Sequence, residues 1–245
     1  MARLARVILP GLPYLVTQRG AEGRKVFFAE SDYACFRDLL EQKVREAKVG
    51  VLAWCFMPSH VHLILTPEDE DGLRRALAGA HRRYAGLIHA RRRRSGPFWQ
   101  GRYAAVAMDE DHLKAAYRYV TQNPVRARLV KRAEEWPWSS ARALMGLGED
   151  PLTNLAAARQ RFDDFGAFLT AEEDREATAR LRRGESVGRP IGSEAFMTSL
   201  EAQTGRRLRV LPRGPKPKVE RPVISPASVA PARSFGLRES SSTKY

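Results

Sequence analysis

The chain has 245 residues, room for one domain of about 100–200 residues plus an appendage. Its 42 Lys and Arg against 28 Asp and Glu leave a formal net charge of +14, which points to a polyanionic partner, nucleic acid ahead of anionic membrane. No apolar run reaches transmembrane length, and Cys35 and Cys55 give no disulfide framework, so a membrane span and a disulfide-held secreted scaffold are set aside and a reducing cytoplasm is expected. The opening MARLARVILPGLPYL carries Pro10 and Pro13 and no small-residue cleavage signature, and does not read as a signal peptide.

In chain order, YLVTQRG from Tyr14 predicts a strand ending at Gly20. A helix is expected over residues 31–48, with Asp32 as cap and Phe36, Leu39, Leu40 and Val44 as an apolar stripe. VGVLAWCFM and HVHLILT are β-rich runs separated by Pro58-Ser59, the pattern of an antiparallel hairpin. A second helix over residues 71–92 sets Leu73, Leu77, Ala80, Tyr84, Leu87 and Ile88 on one face. RYAAVAM from Arg102 predicts a fourth strand, and a third helix starts near Asp109 and stops at Pro124. The order β-α-β-β-α-β-α predicts an α+β fold: a ferredoxin-like βαββαβ antiparallel sheet with one extra helix.

Beyond residue 130 the character changes. WPWSS reads as a peripheral wrap, TAEE at residues 170–173 as a capping box opening a charged helix, and VGRPIG as a break before a helix capped by Ser193 and running to about Thr204. The helix pair is a small helical extension, with a turn longer than a helix-turn-helix allows. From Leu211 on, Pro, Ser, Lys and Arg predominate, a composition that cannot bury a core, so a disordered basic tail is expected. The divisions are residues 1–145, 146–211 and 212–245.

Within MPSHVHLIL, His60 and His62 share one face of a strand, while Val61, Leu63 and Leu65 take the other. Two imidazoles so spaced suit two ligands of one divalent metal. They equally suit two unrelated polar positions facing solvent. Cys55, in an apolar run, reads as a buried thiol.

The third helix, DEDHLKAAYRYVTQNPVRA, has its stripe at Leu113, Ala116, Tyr117 and Val120. Tyr119 is rotated by about 200° from Tyr117, off that stripe. Asn123 follows four residues later on the same face, at the helix end set by Pro124. A phenol has a pKa near ~10 and attacks a phosphodiester only with help. A metal held by two histidines and a carboxamide oxygen could polarise the phosphate, and tyrosine attack would store the bond energy as a phosphotyrosine.

The HVH pair, RYVTQNPVRA, FWQGRY, the opening ARVILPGLPYLVTQRG and WPWSS together resemble the single-tyrosine HUH transposases, and within them the REP-associated tyrosine transposases. The resemblance spans residues 3–145, and GRPIGSEAFMTSLEAQTGRRLR and GPKPK resemble the extension of some members. It implies that His60 and His62 bind the catalytic metal, Mg²⁺ or Mn²⁺, with Asn123 as third ligand and Tyr119 as nucleophile. It further implies cleavage and joining of single-stranded DNA at hairpins or palindromic repeats, through a 5′-phosphotyrosine and a free 3′-OH. A bacterial, nucleoid-associated protein is then expected, as a monomer ahead of a homodimer.

For DNA contact the candidates are Arg19, Arg82, Arg83, the arginines at 91–94, Arg102 and Arg126, with Trp99 either stacking an unpaired base or sitting in the core. Rolling-circle initiators and relaxases would share the chemistry, but no P-loop accompanies it here. The alternative is a DNA- or RNA-hairpin-binding regulator, derived from a transposase, that does not cut.

Overall fold

Strand β1 (Tyr14–Arg19) leads to helix α1 (Glu30–Glu46), the hairpin β2 (Val49–Met57) and β3 (His60–Pro67), helix α2 (Gly72–Arg92) and strand β4 (Ala104–Ala107). The computed structural model describes residues 7–209; the basic tail expected over 212–245 lies outside the described residues. The four strands form one antiparallel sheet in the order β2-β3-β1-β4. This is the expected βαββαβ order, and it makes β1 and β3 the inner strands. Helices follow as α3 (Glu110–Thr121), α4 (Asn123–Arg126), α5 (Ala141–Leu144), α6 (Leu155–Arg159), α7 (Phe165–Thr170), α8 (Arg175–Val187) and α9 (Glu194–Thr204). Among the described residues no helix is long and apolar enough to cross a membrane.

Two cores flank the sheet. On one face Val61, Leu63 and Leu65 meet Phe36 and Leu40 of α1 and Leu73, Leu77 and Tyr84 of α2. On the other, Leu15, Cys55, Ile64 and Val106 meet Leu113, Ala116, Tyr117 and Val120 of α3, with Phe165 and Leu169 of α7 and Leu181 of α8 behind. Cys55 is fully buried, as a small apolar thiol should be. Tyr117 packs edge-on against Phe162 and Phe165, so the core role expected for it holds.

Both sheet edges are covered, which removes the open ladders that invite aggregation. The WPWSS segment lies along β2: Phe56 N donates to Trp138 O (2.8 Å), Ser140 N to Trp54 O (3.0 Å), and Trp136 Nε1 to Phe56 O (3.0 Å). On the β4 side, Ile191 N donates to Ala107 O (2.9 Å).

Three boundaries differ from expectation. Asp32 is not the cap of α1 but its third residue; its carboxylate reaches back to accept from Phe28 N (2.8 Å) and Ala29 N (3.0 Å). Pro124 does not end the helical path. It sits in the first turn of α4, where the missing N–H has no intrahelical partner to lose. Helix α8 is capped by Asp174, which accepts from Ala177 N (2.9 Å), rather than by the box at 170–173; Thr170 instead ends α7. Ser193 caps α9 as expected.

Arg118 ties α3 to the passage between α7 and α8. Its guanidinium donates to the carbonyls of Phe168, Ala171 (2.8 Å) and Glu172 (2.7 Å) and lies 4.5 Å over the Phe168 ring. Arg118→Met should therefore cost about 1.5–3 kcal/mol in chemical denaturation, because it removes the charged donor that these three carbonyls share.

Asp32 gives a pH signature. Burial alone would raise its carboxyl, but the Arg91 guanidinium (2.5 Å and 2.9 Å) and the Phe28 and Ala29 N–H groups outweigh burial and hold it below the ordinary value. A depressed folded pKa contributes stability that is complete above the unfolded pKa and is lost as pH falls through the folded one. Wild type should thus be more stable than Asp32→Asn at pH 7, and the gap in denaturant midpoint should close below about pH 4.

Candidate functional site

The strand period places His60, His62 and Thr17 on the α3 face of the sheet, with Thr17 paired opposite His62 and Arg19 opposite His60. The His60 and His62 ring centres are 4.8 Å apart, and His62 lies 5.3 Å from the Tyr119 ring, edge to face. A histidine pair on β3 and a tyrosine on α3, remote from each other in sequence, thus converge. Tyr119 was expected off the core face. Instead it is 5% exposed, because α8 covers that side of α3.

Helix α8 also supplies a residue that sequence reasoning missed. Glu185 accepts a hydrogen bond from the Thr17 hydroxyl (2.6 Å), lies 3.1 Å from His62 Nδ1, and accepts from Tyr119 Oη at 3.4 Å and Arg19 at 3.4 Å. No spacing rule links residue 185 to residue 62. The one hint in LRRGESVG is a glycine inside a helix, which marks a close approach.

Burial and charge set the state of each group. Burial, aided by the His62 ring and Arg19, pushes His60 down to about 3, so it is a neutral imidazole at pH 7. Burial and the Glu185 charge push Tyr119 up to about 12, so it rests as a protonated phenol. Burial would also raise Glu185, but His62, Thr17 and Arg19 overcome it and hold the carboxylate at about 2. The Arg126 and Arg182 guanidiniums lie 5.3 Å and 5.9 Å over the Tyr119 ring, and Arg126 donates to Tyr119 O (3.0 Å). A cavity of about 300 Å³ opens beside the cluster, where Arg19, Arg102, Arg182 and Gln100 surround Glu185.

The donor set suits a divalent ion. His60 Nδ1 is engaged by Ser59 Oγ (3.1 Å) and His62 Nδ1 by Thr17 and Glu185, so Nε2 of each ring is the atom open to a metal. Among the described residues no three His, Cys, Asp or Glu side chains gather as a metal-binding group. A metal here would need the two imidazoles and a donor of another type, a role open to a carboxamide oxygen.

The other expected residues divide. Arg19, Arg102 and Arg126 lie at or beside the cluster. Asn123 opens α4, half-buried, one residue beyond the end of α3. Arg82 and Arg83 are exposed on α2, which packs on the opposite face of the sheet. Of the arginines at 91–94, Arg91 is paired to Asp32 and Arg92 lies 4.0 Å over the Phe28 ring. Trp99 is packed against the first core, and its Nε1 donates to His81 O (3.0 Å).

Residues 16–123 match the sequence model of the family described as transposase IS200 like. A candidate REP-associated tyrosine transposase of Haemophilus influenzae is 24% identical over 116 residues, covering 43% of this chain and 66% of that protein. The chain thus spans just under two thirds of the length of that curated relative. A solved REP-associated tyrosine transposase, bound to a REP hairpin, aligns with TM-score 0.52 and 18% identity over 63% of this chain and 98% of the other, a likeness of fold. Over residues 16–123 the chain is therefore similar to the transposases described as IS200 like, and it is similar as well to the REP-associated tyrosine transposases.

Proposed function

We propose that this protein cuts and rejoins single-stranded DNA at hairpins or palindromic repeats, with Tyr119 as nucleophile. The observation that carries the reading is the approach of the Tyr119 ring to His62, 5.3 Å between centres, with His60 4.8 Å beyond. The kinship with REP-associated tyrosine transposases, one of them solved on a REP hairpin, supports hairpin DNA as the partner. In this reading residues 1–145 are the catalytic part, and the helical extension over 146–211 completes the site.

A divalent ion, Mg²⁺ or Mn²⁺, held by His60, His62 and Asn123, would supply positive charge to polarise the scissile phosphate. The chain's own residues do the rest. Arg19, Arg102 and Arg182 line the cavity and receive the phosphodiester. Arg126 and Arg182, over the Tyr119 ring, favour the phenolate, which Glu185 opposes. Tyr119 Oη attacks phosphorus and loses its proton; the 3′-oxygen leaves and gains one. The product is a 5′-phosphotyrosine that keeps the bond energy for rejoining to a 3′-OH. Since Tyr119 is 5% exposed, an incoming strand must displace side chains of α8 to reach it.

The test is a denaturing gel of the purified protein with end-labelled single-stranded oligonucleotides that fold as palindromic hairpins, in Mg²⁺ or Mn²⁺. Wild type should form an adduct that survives SDS. Tyr119→Phe and added EDTA should abolish it, and His62→Ala should weaken it by at least about 100-fold. Hairpin binding with no adduct in either metal would leave a regulator that does not cut.

A further inference from the structure

Glu185 stands outside the matched residues 16–123, yet its side chain is only 8% exposed and lies at the centre of the cluster. Three hydrogen-bonding atoms meet there: Thr17 Oγ1 to Glu185 Oε1 at 2.6 Å, Thr17 Oγ1 to His62 Nδ1 at 3.0 Å, and His62 Nδ1 to Glu185 Oε1 at 3.1 Å. Counting hydrogens decides their roles. A carboxylate has none to give, and a threonine hydroxyl has one. The threonine hydrogen goes to Glu185. His62 Nδ1 therefore faces two acceptors, and the ring must carry its hydrogen on that nitrogen.

We propose that Glu185 is a positioning residue for the metal site: with Thr17 it locks His62 as the Nδ1–H tautomer and so keeps the Nε2 lone pair free for a divalent cation. This rests on the metal reading of His60 and His62 given above. A carboxylate behind a metal-binding imidazole fixes its tautomer and raises its basicity, and loss of such a partner costs about 10–100-fold in metal affinity.

The fold delivers this carboxylate by close packing. At Gly184, one residue before Glu185, an added Cβ would come within 3.1 Å of Val106 Cγ1 and 3.5 Å of Ile191 Cγ2. The bare backbone there lets α8 settle onto β4. The Arg118 anchor holds the segment that leads into α8. The contrasting role for Glu185 is a stand-in for substrate phosphate among Arg19, Arg102 and Arg182, which would make it a block rather than a support.

The full chain, labelled with ¹⁵N-histidine and free of metal, reports the tautomer by long-range ¹H–¹⁵N correlation, with His62→Gln assigning the ring. Wild type should show His62 protonated on Nδ1, and Glu185→Ala should move it toward the Nε2–H form. Calorimetric titration with Mn²⁺ should give a Kd weakened about 10–100-fold in Glu185→Ala, and less in Glu185→Gln, whose amide oxygen still accepts. Glu185→Gln carries the test if Glu185→Ala does not fold. Mn²⁺ binding that is the same in wild type and His62→Ala would overturn the metal reading. An unchanged tautomer and Kd in the Glu185 variants, with His62-dependent Mn²⁺ binding intact, would overturn this proposal alone. Unchanged Mn²⁺ affinity with faster adduct formation would overturn it in favour of the phosphate stand-in.

Discussion

The site depends on one cross-strand pairing, Thr17 of β1 opposite His62 of β3. Directly opposed antiparallel residues have Cβ atoms about 4.5–5.5 Å apart, close enough for a threonine hydroxyl to meet an imidazole. A slip of one residue would turn both histidines to the face of α1 and α2 and send Val61, Leu63 and Leu65 to the face of α3. Those three are fully buried against Phe36, Leu73 and Tyr84. The apolar packing on one face therefore holds the register that aligns the polar groups on the other.

The sheet face that carries the histidines also carries Leu15, Ile64 and Val106, apolar side chains that must be covered. Helices α3 and α8 cover it, and the His62 imidazole, the phenol and the carboxylate become buried together, with His60 half-buried beside them. Such groups are tolerated inside only when they bond one another. The Thr17–His62–Glu185 triangle and the Arg19–Glu185 ion pair meet that need. The same burial sets the chemistry, since it keeps His60 neutral and Tyr119 protonated at rest.

The basic residues divide between internal pairing and the cavity beside Tyr119. Arg91 answers Asp32, Arg118 answers three carbonyls, Arg126 answers Glu173, and Arg161 answers Glu110. Arg82 and Arg83 belong to the layer across the sheet from the histidines. Arg19, Arg102 and Arg182 share the cavity beside Tyr119, and of these Arg182 comes from the helical extension. The extension thus contributes both signs of charge to the centre of the molecule.

The sequence by itself determined the element order as far as α3, the antiparallel hairpin and the common face of His60 and His62, because strand and helix periods are local properties of the chain. It placed Tyr117 in the core for the same reason. Three matters were decided by tertiary structure alone. Tyr119 is buried because a helix some 60 residues later packs over it, and a periodicity confined to α3 carries no record of that cover. Glu185 joins the site because Gly184 lets α8 approach β4, a contact between segments that share no pattern. The arginines of α2 and those near Tyr119 look alike in composition; the fold sets them on different sides of the sheet, since which layer a helix joins depends on the sheet face that its apolar stripe must cover.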